Sequence, residues 1–311
     1  MKTSIQFGDN EELLDIRYDH IFKAVFTRNT PASKGALSDL ISTLIERKVT
    51  LASITSNEPP IKDIRDRSIR FDISCKTESG ELVNIEMSLK PPSCEPARLE
   101  YYAGRLFTRQ DIRGVNKNYS DLKDAYQIAI WADRRFFDDE ELVHRFEYHD
   151  PVHNVSFGGK SRIITVELAK AEQVIEKPAT ELAAHESWAA FFRYLTDLGK
   201  RAKINEIVQR EGGIAMASEV LIDITQEDIE WARQLSEEKY ILDKRQMLYD
   251  ARQEGLEEGR AEGRVKGRAE GRAEGRAEGR LETAKNLKAN GVSVEIIARS
   301  TGLTPAEIAK V

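Results

Sequence analysis

Cysteine is nearly missing from this 311-residue chain, which has only Cys75 and Cys94. The pair forms no CxxC motif and no Cys/His cluster with metal spacing, so a disulfide scaffold and a zinc ribbon are excluded. There is also no run of about 18 apolar residues, the length that a membrane-crossing helix requires. The opening MKTSIQFGDNEELLD contains no apolar signal core, and a reduced, cytoplasmic setting without a membrane partner is the expectation. Basic residues do not dominate: 47 Lys and Arg stand against 53 Asp and Glu, a net charge of −6. That balance argues against a constitutive, non-specific nucleic-acid coat and leaves room for a local basic face.

Charged residues make up 32% of the chain and apolar ones 40%, enough for a sizeable core at this length and for about two domains. The most informative stretch is 69–90, IRFDISCKTESGELVNIEMSLK. Ile69, Phe71, Ile73 and Cys75 alternate with polar residues, and so do Val83, Ile85, Met87 and Leu89. Period-two alternation predicts two strands, each with one face buried. Glu78-Ser79-Gly80 joins them, with glycine where a left-handed backbone is wanted. If Thr77 pairs with Glu81, Ile73 faces Ile85, Phe71 faces Met87, and Asp72 is set against Glu86. Two carboxylates placed opposite each other repel unless something neutralises them. A hard divalent cation would do so, and flanking Arg70, Lys76 and Lys90 on a solvated face would do so too.

Before this hairpin, residues 17–28 predict an amphipathic helix with Asp19 in its first turn, where an acid also suits the helix dipole. A second helix is expected over 33–47 and a short strand over 49–54, then a connector with Pro59 and Pro60. After it, a helix over 94–111 places Arg98, Tyr102, Arg105 and Arg109 on one face, with Gln110 beside them. Such a row can position phosphates, or can simply pair with Glu95, Glu100 and Asp111. AYQIAIW at 125–131 reads as an interior strand, with further strands at 144–149 and 161–168. His144, His149 and His153 have no matching partners in sequence and read as structural or surface residues. From Pro178 the pattern is helical: 181–196, 200–211, 213–222, and 226 to about 252.

Residues 255–280 repeat a Glu-Gly-Arg tetrad, with glycine at every fourth position from 255 to 279. Each interior glycine costs a helix about 1 kcal/mol relative to alanine, so a lone helix is not expected to support itself here. The segment reads as a self-association element or as a flexible linker. In the tail, Ser293 and Thr304 are expected caps of two short helices around Gly302, a packing or oligomerisation module rather than a DNA reader.

The order of pieces carries more than any one of them: DHIFKAVF, the strand with Asp72 in FDI, the strand NIEMS with Glu86, ARLEYYAGRLFTRQ, then an apolar strand. This ensemble resembles the recombination-promoting nuclease family, transposase-like members of the PD-(D/E)XK nuclease superfamily, and the tail looks like that family's C-terminus. The resemblance implies an α/β fold, a restriction-endonuclease-like three-layer core with a central mixed sheet, followed by an all-helical C-terminal region. The expected division is 1–170 core, 171–254 helical region, 255–280 repeat and 281–311 tail. The resemblance also implies Mg²⁺- or Mn²⁺-dependent endonuclease action on DNA, linked to recombination or mobile elements.

By position, Asp72 matches the family's metal-binding Asp, Glu86 the following acid and Asp19 an acid of the first helix, while Arg98, Tyr102 and Gln110 match the polar helix. The third motif usually reads Glu-x-Gln or Glu-x-Lys, and here it is Glu86-Met87-Ser88. A hydroxyl supplies neither the positive charge nor the long amide, so Lys90 or Gln110 is expected to stand in. The candidate sets are then Asp72, Glu86, Lys90 and Gln110 for catalysis and Asp72, Glu86 and Asp19 for the metal. Arg98, Tyr102, Arg105 and Arg109 are the candidates for DNA. Self-association through the C-terminal helices is expected. A site decayed at Ser88 on the same fold, or a helical scaffold, are the alternatives.

Overall fold

A computed structural model describes residues 5–55, 72–112 and 118–311; the side chains of 55, of 231–251 and of 253–255, 257, 258, 261, 262, 265, 269 and 273 fall outside the description. The connector with Pro59 and Pro60 and the first residues of the hairpin, with the expected Phe71–Met87 pair, also lie outside it. The chain divides into two compact units, Met1–Gln246 and Met247–Val311.

In the first unit, α1 (Asp19–Thr27) buries Ile21, Phe22, Val25 and Phe26, the apolar stripe read from the sequence. α2 (Pro31–Ile45) starts where Thr30 caps the Ser33 amide and Pro31 takes the first helical position. β1 (Leu51–Thr55), β2 (Ile73–Thr77) and β3 (Leu82–Ser88) follow. Gly80 closes the β2–β3 turn at φ +90°, and the register sets Ile73 opposite Ile85 as expected. α3 (Glu95–Thr108) leads to β4 (Ala125–Trp131), buried along its whole length. β5 (Val143–Phe146), a small ribbon of β6 (His149–Asp150) and β7 (Val155–Ser156), and β8 (Ser161–Glu167) complete the strands. Then come α4 (Glu172–Ile175), α5 (Ala184–Tyr194), α6 (Arg201–Arg210) and α7 (Gly212–Ile222).

The central sheet runs β1-β2-β3-β4-β8-β5. β3, β4 and β8 are parallel to one another, while β1, β2 and β5 pair antiparallel, so the sheet is mixed. Strand alternation sorts its residues into two faces. Val83, Ile85, Met87, Ile128, Ile130, Ile164 and Val166 join α1, α2, α5, α6 and α7 in the main core. The opposite face carries Asn84, Glu86, Gln127, Ala129, Trp131 and Thr165, and α3 packs over it through Leu99. Three layers result: a helical group, a mixed sheet, and α3. The helices α5 to α7 pack into the same core as the sheet, within one unit.

α7 enters that core at Gly213, where an added Cβ would lie 2.1 Å from Asp39 Oδ2. Asp39 is itself held by the Trp188 indole N–H at 3.0 Å, so it cannot retreat without breaking that bond. Gly213→Ala is therefore expected to destabilise the first unit by about 1–3 kcal/mol in urea denaturation, the usual cost of overpacking a fixed site.

α8 (Gln226–Ala289) runs as one helix through the whole Glu-Gly-Arg repeat. Helix formation is cooperative, and regular helix on both sides carries the glycine tetrads without a new nucleation step. An added Cβ at Gly259, Gly263, Gly267, Gly271, Gly275 or Gly279 would meet nothing within 4 Å among the described residues. In the second unit the end of α8 packs against α9 (Val294–Thr301) and α10 (Pro305–Lys310) around buried Ala284, Ile297 and Ile308. Thr304 and Glu307 form the expected capping box, and Gly302 ends α9 at φ +72°. Ser293 stands at the N-cap of α9 without a side-chain cap bond. No helix among the described residues is long and apolar enough to cross a membrane.

Candidate active site

Asp72 lies one residue before β2, and the β2–β3 register, continued by one, sets it across from Glu86. Both are buried, at 1% and 0% exposure. A buried carboxylate is costly unless a cation or hydrogen bonds meet it, and each of these two is met from a different layer. On the Asp72 side, α1 supplies Lys23, whose Nζ lies 3.2 Å from Asp72 Oδ1 and 3.0 Å from Asp19 Oδ2. Lys23 is itself buried, and one turn of α1 separates it from Asp19, so helix geometry fixes that pair. Two acids thus share one ammonium.

On the Glu86 side, α3 supplies Arg98. Its guanidinium makes a close two-point bond to Glu95, at 2.7 and 2.8 Å, and only a 3.4 Å contact to Glu86 Oε2. Burial works against the charge on Arg98, but Glu86 and Glu95 more than offset it and hold its pKa well above the ordinary value. Arg98 is thus anchored on Glu95 and only leans toward Glu86. The other Glu86 oxygen accepts from the Gln127 amide at 3.2 Å, and the Gln127 oxygen accepts from Asn84 at 2.9 Å. The Trp131 indole N–H reaches Glu95 at 3.4 Å. Asn84, Gln127 and Glu86 therefore form a buried polar chain on the sheet face under α3, which fixes the Glu86 carboxylate.

The remaining sequence candidates lie elsewhere. Lys90 is exposed, two residues past the end of β3, and among the described contacts it is not brought to the acids. Gln110, beyond the far end of α3, places both ends of its amide on the Lys123 backbone, at 2.8 and 2.7 Å. It pins the approach to β4 rather than reaching the carboxylates. Ser88 ends β3 beside Trp131. Tyr102 sits under Arg98, with the guanidinium carbon 5.2 Å from its ring centre. Arg105 is exposed in the last turn of α3 and Arg109 at its C-cap; partial desolvation and the like charge of Arg105 push the Arg109 guanidinium below its ordinary value. Such crowded positive charge favours an anionic partner.

Sequence reasoning missed Lys23, Gln127 and Asn84 as parts of this site, whereas Glu95 is the partner it offered Arg98 as the alternative to a phosphate. Two of them carried a signal: a lysine beside the apolar stripe of α1, and one amide inside the otherwise apolar strand AYQIAIW. Cys75 takes no part in such chemistry, because burial pushes its thiol up to about 12.

A second polar cluster lies at the other end of the sheet. Asp139, His144 and Glu167 offer ligand atoms within 4.8 Å of one another. His144 Nε2 lies 2.9 Å from Asp139 Oδ2, so its partners come from the loop after β4 and the end of β8 rather than from its own strand. Lys170 Nζ stands among them, 2.7 Å from Asp139 and 2.5 Å from Glu167. His149 and His153 have surface partners, Asn154 at 3.0 Å and Asp150 at 2.6 Å.

The mixed sheet, one acid on β3 and another just before β2, and the polar helix laid over the sheet can be set beside known proteins. No curated protein and no solved structure matches the chain. Residues 16–251 match the family described as PD-(D/E)XK nuclease family transposase, a span that holds every strand of the sheet and the helices α1 to α7. The chain belongs to the PD-(D/E)XK nuclease family transposases.

Proposed function

We propose that this chain is a divalent-metal-dependent endonuclease that hydrolyses DNA phosphodiesters, and that it serves recombination or a mobile element. The observation that carries the reading is the buried pair Asp72 and Glu86 at register-matched positions, with Asp19 joined to Asp72 through Lys23. Nucleases of this family typically use divalent metals, and the donor set fits one: carboxylate oxygens are the hard ligands that Mg²⁺ or Mn²⁺ takes. Asp72 and Glu86, with Asp19 behind them, would hold the ion, which when bound lowers the pKa of a ligated water and offsets charge on the phosphate.

The chain's own residues do the rest. Gln127 and Arg98 orient the Glu86 carboxylate. Lys23, rather than Lys90 or Gln110, brings positive charge to the acids, and so takes the place left open by Ser88. Arg105 and Arg109, on the exposed side of α3, grip phosphates. A second copy of the chain is the partner we propose for α8, where a Cβ added at Gly259 to Gly279 would meet nothing within 4 Å among the described residues.

Plasmid nicking tests the reading. Supercoiled DNA is expected to be cut in Mg²⁺ or Mn²⁺ and left intact in EDTA. Cutting that persists in EDTA would refute the metal assignment. Binding without cutting in either metal would favour the second reading, a site decayed at Ser88.

A further inference from the structure

Two strands away from Glu86, on the same sheet face, α3 and β8 enclose a cavity of about 290 Å³. In the parallel registers Glu86 pairs with Ala129 and Ala129 with Thr165, so these three form one row across β3, β4 and β8. At about 4.8 Å per strand, Thr165 lies roughly 10 Å from Glu86 along that row. Four rings line the cavity: Trp131, Phe137, Phe146 and Tyr148. Trp131 is buried, whereas Phe146 and Tyr148 are 41% and 59% exposed at the mouth. Aromatic walls of this kind receive a flat ring.

The cavity is not purely apolar. Thr165 lines it, is 1% exposed, and its Oγ1 has no hydrogen-bond partner among the described residues. A buried hydroxyl needs one, so an occupant such as a leucine or phenylalanine side chain would leave it unsatisfied. Glu100 and Glu147 also line the cavity. Their charge repels a phosphate, and their oxygens accept from amino groups. The chemistry required is a flat ring with polar edges and exocyclic N–H donors, its phosphates kept outside.

We infer that this cavity receives a single nucleobase bearing an exocyclic amino group, turned out of the strand whose backbone lies at Asp72 and Glu86. The inference rests on the nuclease reading above. The distance suits it: a stacked strand advances about 3.4 Å per nucleotide, so the two sites are about three nucleotides apart, or fewer once the strand is unstacked. Enzymes that hold an extruded base use stacking on aromatic side chains together with hydrogen bonds to the base edge. The cavity lies beneath α3, and the exposed rings at its mouth stack the incoming base.

The test compares two fluorescently labelled single strands of equal length and charge, oligodeoxyadenylate and a strand of abasic sugar-phosphate. Fluorescence anisotropy in EDTA with the full-length chain gives both affinities without cleavage. The wild type is expected to bind the adenine strand about tenfold or more tighter, as stacking of one base commonly contributes. Tyr148→Ala, Phe146→Ala and Thr165→Val should each shrink that preference toward unity and leave abasic binding unchanged, with circular dichroism confirming the fold. Equal or absent affinity for the two strands in the wild type overturns the inference, as does a preference that survives all three substitutions. Plasmid nicking, run in parallel, shows whether the nuclease reading falls with it.

Discussion

Glu86→Gln is expected to lower metal-dependent DNA cleavage by about 10²–10⁴-fold, the range that commonly rides on one positioned charged group. The substitution keeps the shape of the side chain. One oxygen remains to accept from Gln127 or to meet Arg98, and Arg98 keeps its close bond to Glu95. The fold should therefore survive, and thermal denaturation should show a transition close to that of the wild type. What is lost is the negative charge that faces Asp72 across the two strands. DNA affinity in EDTA should change little, since the arginines of α3 proposed to contact the backbone are untouched. A fall in cleavage of less than tenfold, in protein shown to be folded, would remove Glu86 from the catalytic set.

The acid pair was legible because a hairpin is local. Alternation fixed which residues face inward, Gly80 fixed the turn, and from these the pairing of Ile73 with Ile85 followed by counting. The strand at 125–131 was legible for a similar reason, since a short apolar run rich in isoleucine and aromatic residues suits an interior strand, and all seven residues are buried. The groups that neutralise the acids were harder to find. Gln127 meets Glu86 through a parallel pairing that spans 41 residues of sequence, and no local pattern announces such a register. Lys23 was hidden for the opposite reason: its spacing from Asp19 looks like an ordinary surface pair on a helix, and only the packing of α1 near the end of β2 turns it into a buried bridge. Gln110 shows the limit of motif order, because a side chain in the expected helix can still be taken up by a nearby backbone.

The largest expected effect on stability comes from Lys170→Met, at about 3–5 kcal/mol, the cost of removing one partner from a buried ion pair. The Lys170 and Glu167 side chains are both fully buried, 2.5 Å apart, and the ammonium also bonds Asp139 and the Glu141 carbonyl. Methionine keeps most of the volume but leaves the Glu167 charge in the interior, with the Phe136 N–H as its remaining hydrogen-bond donor among the described residues. Adding Glu167→Gln should recover part of the loss, because the amide oxygen still accepts that N–H and no charge is stranded. Acid should narrow the gap between wild type and Lys170→Met. The hydrogen bond from Lys170, then that from His144, holds the Asp139 carboxyl down at about 2 from its ordinary 3.8. A depressed carboxylate adds stability above its unfolded pKa and loses it as the pH falls through the folded one. This part of the Lys170 contribution is therefore complete above about pH 4 and fades toward pH 2. Asp139 is half exposed, so its share is small beside that of Glu167. Urea denaturation at neutral pH and near pH 3 measures both parts. A loss below about 1 kcal/mol at neutral pH would mean that Glu167 finds another cation, and that the cluster is not held by its lysine.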